Sequence, residues 1–185
     1  MFRKVVRKKE EGYVIFCMPK LPRGRVQAIA MFGFPGKKKP TRKFKKNLKV
    51  MTGLKGRWNG GKGRLYLHKH AEHYLRKALN LAEARGCLDE IYKIGAYNHR
   101  HQRHDPNRPL SYHAYGIAID VNAGENRART FRRGLAPKPF SDEWFEVWPD
   151  SMSEELVSCF EDAGWFWGGR WSRFKDPMHF QLVRP

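Results

Sequence analysis

Two short segments constrain this chain most. One is Ser111-Tyr112-His113-Ala114-Tyr115-Gly116-Ile117-Ala118-Ile119-Asp120; the other, near the C-terminus, is Asp176-Pro177-Met178-His179-Phe180. They stand far apart, so any fold that gives them a joint purpose must bring them together. Two imidazoles and one carboxylate (His113, His179 and Asp120) make a plausible set of three zinc ligands. Three protein ligands leave a fourth tetrahedral position for water, the pattern of catalytic zinc, whereas structural zinc is closed by four side chains. Other divalent ions suit the same donors. A single helix would not align His113 with Asp120. A loop leading into a strand would, with His113 before the strand, Asp120 near its end, and His179 on the neighbouring strand. Ladder hydrogen bonds would then fix the ligand directions. Asp176, three residues before His179, is placed to take a proton from water on the metal. Arg100, in Tyr97-Asn98-His99-Arg100, is the candidate for stabilising an oxyanion, with Arg103 and Arg108 as neighbours able to take that role.

The pattern around these motifs predicts an α+β fold: a small antiparallel sheet with flanking helices, carrying the zinc site and preceded by a basic N-terminal extension. Leu67, His70, Ala71, Tyr74, Leu75, Ala78, Leu79 and Ala82 fall at three- and four-residue steps, so an amphipathic helix is expected, ending at Gly86. Strands are expected over 91–98, 116–121 and 178–183. Residues 123–150, broken by Pro137, Pro139 and Pro149, read as irregular. Ser151 with Glu154 resembles a capping box for a helix reaching Ala163 and stopped by Gly164. His68 and His70 are expected near the first helix as solvated histidines.

Charge divides the chain in two. Residues 1–69 hold 21 Lys/Arg and 2 Asp/Glu, a net of +19; residues 70–185 hold 16 of each, a net of zero. Val26–Phe32 is the best strand candidate in the first part. Residues 37–64, lysine-rich and then glycine-rich, read as a flexible basic linker. The expected division is therefore 1–64, an extension and linker, and 65–185, the catalytic domain. Such an arm is suited to an anionic envelope polymer or to nucleic acid, and charge does not choose between them. The three cysteines, Cys17, Cys87 and Cys159, include no CxxC pair, so a cysteine zinc knuckle is excluded and a disulfide framework is not expected. The run Val14–Met18 is too short for a signal-peptide core, and nothing approaches the ~20 apolar residues of a membrane span. The expectation is a protein made in the cytoplasm without a signal peptide.

Ser111-x-His113-x-x-Gly116-x-Ala118-x-Asp120 and Asp176-x-Met178-His179-Phe180 resemble the signature of the M15-type zinc peptidases, and Trp167-Gly168-Gly169-x-Trp171 matches as well. The family includes bacterial D-alanyl-D-alanine carboxypeptidases and dipeptidases and phage L-alanyl-D-glutamate endolysins. The resemblance covers about residues 65–185. It implies zinc on His113, Asp120 and His179, and Asp176 as the base. An Asp rather than a Glu at that position, with Gly95-Ala96-Tyr97-Asn98-x-Arg100, is similar to the endolysin-like branch. The implied activity is hydrolysis of peptidoglycan stem peptides, by a protein that acts on the cell wall after phage-type release. The alternatives are a D,D-carboxypeptidase on the same site, or a polyanion-binding protein with a non-catalytic peptidase-like domain. Ser111 and Asn122 are expected to support the ligands. Trp167 and Trp171 are candidates for the substrate groove, although a core role is the simpler reading of such an aromatic cluster.

Overall fold

The computed structural model describes residues 2–9, 12–56, 59 and 64–185, with the backbone alone for 2–9 and 12–19. In chain order the elements are β1 (Phe2–Lys9), β2 (Gly12–Pro19), α1 (Gly24–Phe32), α2 (Arg42–Lys45), β3 (Leu48–Met51) and β4 (Leu65–His68). There follow α3 (Glu72–Ala84), β5 (Ile94–Gly95), β6 (Ala118–Val121), β7 (Arg129–Thr130), α4 (Asp142–Val147), α5 (Glu154–Ala163), β8 (Phe166–Trp167), β9 (Phe174–Lys175) and β10 (His179–Gln181). The central sheet runs β5-β6-β10-β8 with every pairing antiparallel, and α3 packs on α5 beside it. The α+β architecture with small antiparallel sheets is thus present. β1 and β2 form a hairpin of their own.

The first 64 residues differ from expectation. Val26–Phe32 lies in a helix, α1, because its buried positions, Ala28 and Phe32, recur at four residues rather than alternating. Residues 37–54 are not a linker. Thr41 caps α2 by accepting from the Phe44 amide at 3.1 Å, and β3 pairs with β4 from Leu48↔His68 to Met51↔Leu65. Phe44, Leu48, Met51 and Leu54 join Ala28 and Phe32 in the same core cluster as Leu75, Phe160 and Phe180. A few apolar side chains set among lysines suffice, since the lysines all point outward and the four apolar groups inward. The core therefore runs back across residue 65. In the glycine-rich tract, residues 57, 58 and 60–63 lie outside the described residues.

The helices end where local chemistry ends them. Gly86 and Gly164 take left-handed φ of 73° and 106° after α3 and α5. The cap of α5 is Ser153 rather than Ser151: its Oγ accepts from the Leu156 amide at 3.1 Å. Glu90, distant in sequence, accepts from the Ser153 amide and hydroxyl at 3.1 and 2.7 Å, taking the part that a local capping-box Glu would play. The strand expected over 91–98 shrinks to Ile94–Gly95, and α4 forms inside the stretch read as irregular, capped by Ser141. Cys87 and Cys159 meet in the core as free thiols 3.8 Å apart, and burial pushes Cys87 up to about 12. No helix among the described residues is long and apolar enough to cross a membrane.

Candidate metal centre and catalytic pocket

His179 and Asp120 are cross-strand partners on β10 and β6, so both side chains leave the same face of the sheet at the same level. His113 stands on a tight turn, Tyr112–Tyr115, ahead of β6. Ser111 caps that turn, its Oγ 3.4 Å from the His113 amide. Gly116 closes it at φ 65°, and here only glycine fits: a Cβ would lie 2.6 Å from the His68 amide and 2.9 Å from Leu48. The turn that aims His113 is thereby pressed against β3 and β4.

The donor atoms converge. His113 Nε2, Asp120 Oδ1 and His179 Nδ1 form a triangle with sides of 3.1, 3.2 and 3.2 Å. A tetrahedral ion with bonds of ~2.0 Å would need edges of ~3.3 Å. The far side of each ring is committed. His113 Nδ1 donates to the Ala96 carbonyl at 2.7 Å, and His179 Nε2 donates to Gln181 Oε1 at 3.1 Å. Gln181 in turn donates to the Val183 carbonyl at 2.6 Å. These partners leave a lone pair, not a proton, on each inward nitrogen. Two lone pairs and a carboxylate facing one another call for a cation at the centre, so the residues fit a metal ion. Without one they compete for a proton. Burial alone would raise Asp120, but hydrogen bonds from His113 and His179 hold it well below the usual carboxylate range. Burial opposes charge on His179, yet the bond to Asp120 outweighs it and its pKa rises.

Asp176 lies in the same cavity of about 400 Å³, together with Arg100, Arg103, His104, Arg108 and Trp171. Its Oδ1 is buried with no hydrogen-bond partner among the described residues. Burial, aided by Asp120, raises its pKa to about 6, while His179, His113 and Arg100 pull the other way. The supporting frame is the Trp167-Gly168-Gly169 run. The Gly168 carbonyl accepts from the Asp176 amide at 3.2 Å, and a Cβ on Gly168 would stand 2.6 Å from the Asp176 carbonyl. Trp167 Nε1 donates to Pro177 at 2.7 Å while its ring stacks on Phe140. Trp167 is therefore a buried buttress behind the site. Trp171 lines the cavity, its ring 5.5 Å from that of His179. Asn122 is placed away from the cavity: its side chain accepts from the Tyr92 and Lys93 amides and donates to the Glu90 carbonyl, tying the end of β6 to the chain before β5. Gln181 and Ala96 are site residues that the sequence reading did not include. An H-x-Q step on one strand, which puts both side chains on one face, was the available signal for Gln181.

Residues 104–182 match the family model described as D-alanyl-D-alanine carboxypeptidase. Over these residues the chain is similar to the M15-type peptidases. The chain is also similar to the peptidoglycan L-alanyl-D-glutamate endopeptidase CwlK of Bacillus subtilis (strain 168), 29% identical over 100 residues. That match covers 51% of this chain and 53% of the Bacillus protein, so the chain spans about half the length of the curated relative it matches. No solved structure matches the chain. The matched span contains all three metal-capable side chains and Asp176, whereas Arg100, Arg103 and the Ala96 carbonyl lie just before it.

Proposed function

We propose that the protein is a zinc-dependent peptidase that cuts the stem peptides of bacterial peptidoglycan between L-alanine and D-glutamate. The observation that carries the reading is the triangle of His113, Asp120 and His179 with the buried Asp176 Oδ1 beside it, unpartnered among the described residues. Zinc on that triad would supply a Lewis acid and make hydroxide available near neutral pH. The chain's own groups supply the rest. Asp176, buried in the same cavity beside the triad, is placed to act as a general base, taking a proton and returning it to the leaving amine. Arg100 brings a fixed positive charge into the cavity for the oxygen of the attacked carbonyl. Ala96 and Gln181 hold the two imidazoles in the tautomers that ligation needs.

The bond assignment draws on the Bacillus relative, whose name carries L-alanyl-D-glutamate cleavage, and on aspartate at position 176. The description of the matching family model favours a second reading, D,D-carboxypeptidase activity on the same site. Mass spectrometry of fragments from purified peptidoglycan separates them. A new amino-terminal glutamate supports the endopeptidase. Released D-alanine supports the carboxypeptidase, and an intact wall in the presence of zinc refutes both.

A further inference from the structure

Residues 100–108 form a cationic rim on the cavity, with Arg100, Arg103, His104 and Arg108 all lining it. Arg108 is neutralised by Asp105 at 3.3 Å; Arg103 makes no ion pair among the described residues. The backbone here is strained. Arg103 and His104 are consecutive non-glycine residues at φ 54° and 58°, a conformation that side chains disfavour and that persists only when its surroundings enforce it. Hydrogen bonds brace the loop, from the Gln102 amide to the Pro109 carbonyl at 2.9 Å and from the Asp105 amide to the Gln102 carbonyl at 3.1 Å.

The strained turn lays the Arg103 guanidinium over the Phe174 ring, 4.6 Å from its centre. Phe174 stacks with Trp171 at 6.0 Å and 22°, and Trp171 sits 5.5 Å from His179. An aromatic floor thus runs from a metal ligand to a cation with no ion pair among the described residues. An arginine laid on an aromatic face has its plane fixed while its N–H edge stays open. That edge matches a carboxylate with two parallel hydrogen bonds.

We infer that Arg103 reads a free carboxylate on the substrate, the one that a glutamyl residue keeps when its other carboxyl is joined into the peptide. The inference rests on the proposed peptidoglycan peptidase reading and adds its specificity element. A glutamyl residue on the leaving side of the cut bond carries this carboxylate close to the reacting centre. A carboxamide there has the same shape but neither the charge nor the second acceptor, so the fork loses its match. Arg103 contacts substrate in this account and has no part in proton transfer.

The test uses the full-length, zinc-loaded protein and two synthetic muropeptides that differ only in a free carboxylate or a carboxamide on the glutamyl residue. The wild type should favour the acid by roughly 10- to 100-fold in kcat/KM. Arg103→Gln should bring the ratio near one, mainly by raising KM for the acid. Arg103→Lys, which keeps the charge without the fork, should fall between, and Arg133→Gln, which removes an exposed charge outside the cavity, should keep the wild-type ratio. Equal treatment of the two peptides by the wild type, or a full preference surviving in Arg103→Gln, overturns the inference. Zinc content reports folding of each variant. Should Arg103→Gln fail to load zinc, a wild-type ratio in Arg103→Lys overturns it instead. Calorimetric binding of both peptides to Asp176→Asn gives a ratio independent of turnover. Equal affinities there overturn the role of Arg103 whichever bond is cut, whereas a preference for the acid without cleavage by the wild type refutes the bond assignment alone.

Discussion

Removing residues 1–64 should leave a chain that does not fold. The cut takes β3 away from β4 and strips Phe32, Phe44, Leu48, Met51 and Leu54 from the core. At about 1.5–3 kcal/mol for each fully buried large apolar side chain, the loss is about 8–15 kcal/mol, an upper figure because the unfolded chain already buries some of this surface. The whole stability of a domain is typically about 5–15 kcal/mol. The loss would also free the turn that aims His113, since Leu48 and the His68 amide press on Gly116. Residues 65–185 expressed alone should therefore lack near-ultraviolet circular dichroism, a cooperative thermal transition and bound zinc. The single substitution Phe44→Ala should cost about 3–5 kcal/mol, seen as a lowered denaturation midpoint in the full chain. A truncated domain that melts cooperatively and binds one zinc would refute the reasoning and restore the two-segment division.

Asp176→Ala should keep zinc and fold but lose a factor of about 10²–10⁴ in kcat on a soluble muropeptide; near-normal turnover would remove Asp176 from the chemistry. Gln181→Leu should weaken zinc about 10- to 100-fold in a competitive chelator titration, because His179 loses the acceptor that fixes its tautomer; unchanged affinity would make Gln181 incidental. Zinc loading of the wild type should fall on acidification: the His179 pKa is raised, so protons compete with the metal for its inward nitrogen. Equilibrium dialysis that finds loading flat from pH 8 to 5 would contradict this. His68 is buried and its pKa lowered to about 4, chiefly by burial and then by His70. The folded state thus refuses a proton that the unfolded chain takes up near 6.5, and stability should fall between pH 6.5 and 4 by at most about 3 kcal/mol. In His68→Gln that part of the slope should vanish, and urea midpoints showing equal slopes would refute it.

The parts of the fold that could be read from the chain are those whose cause is local. The α3 stripe, the left-handed stops at Gly86 and Gly164, and the antiparallel sheet all follow from periodicity and turn chemistry within a few residues. What escaped reading depends on partners supplied from far away. Phe44 and Leu48 look like strays in a basic tract until β4 arrives to pair with β3. Ser153 rather than Ser151 caps α5 because Glu90, sixty residues earlier, is there to complete the bonding. The site divides the same way. Residue types at fixed spacing point to His113, Asp120, His179 and Asp176, since metal ligation and proton transfer need those side chains. The groups that orient them carry no such mark: Ala96 acts through its carbonyl, which every residue has, and Gly116 acts by what it lacks. Arg103 shows the limit most clearly. Its neighbours Arg100 and Arg108 are the same residue type on the same loop. The strained backbone and the Phe174 ring beneath it set Arg103 apart, and Arg108 is paired with Asp105. Position in space, not composition, makes Arg103 the candidate reader of the substrate's charge.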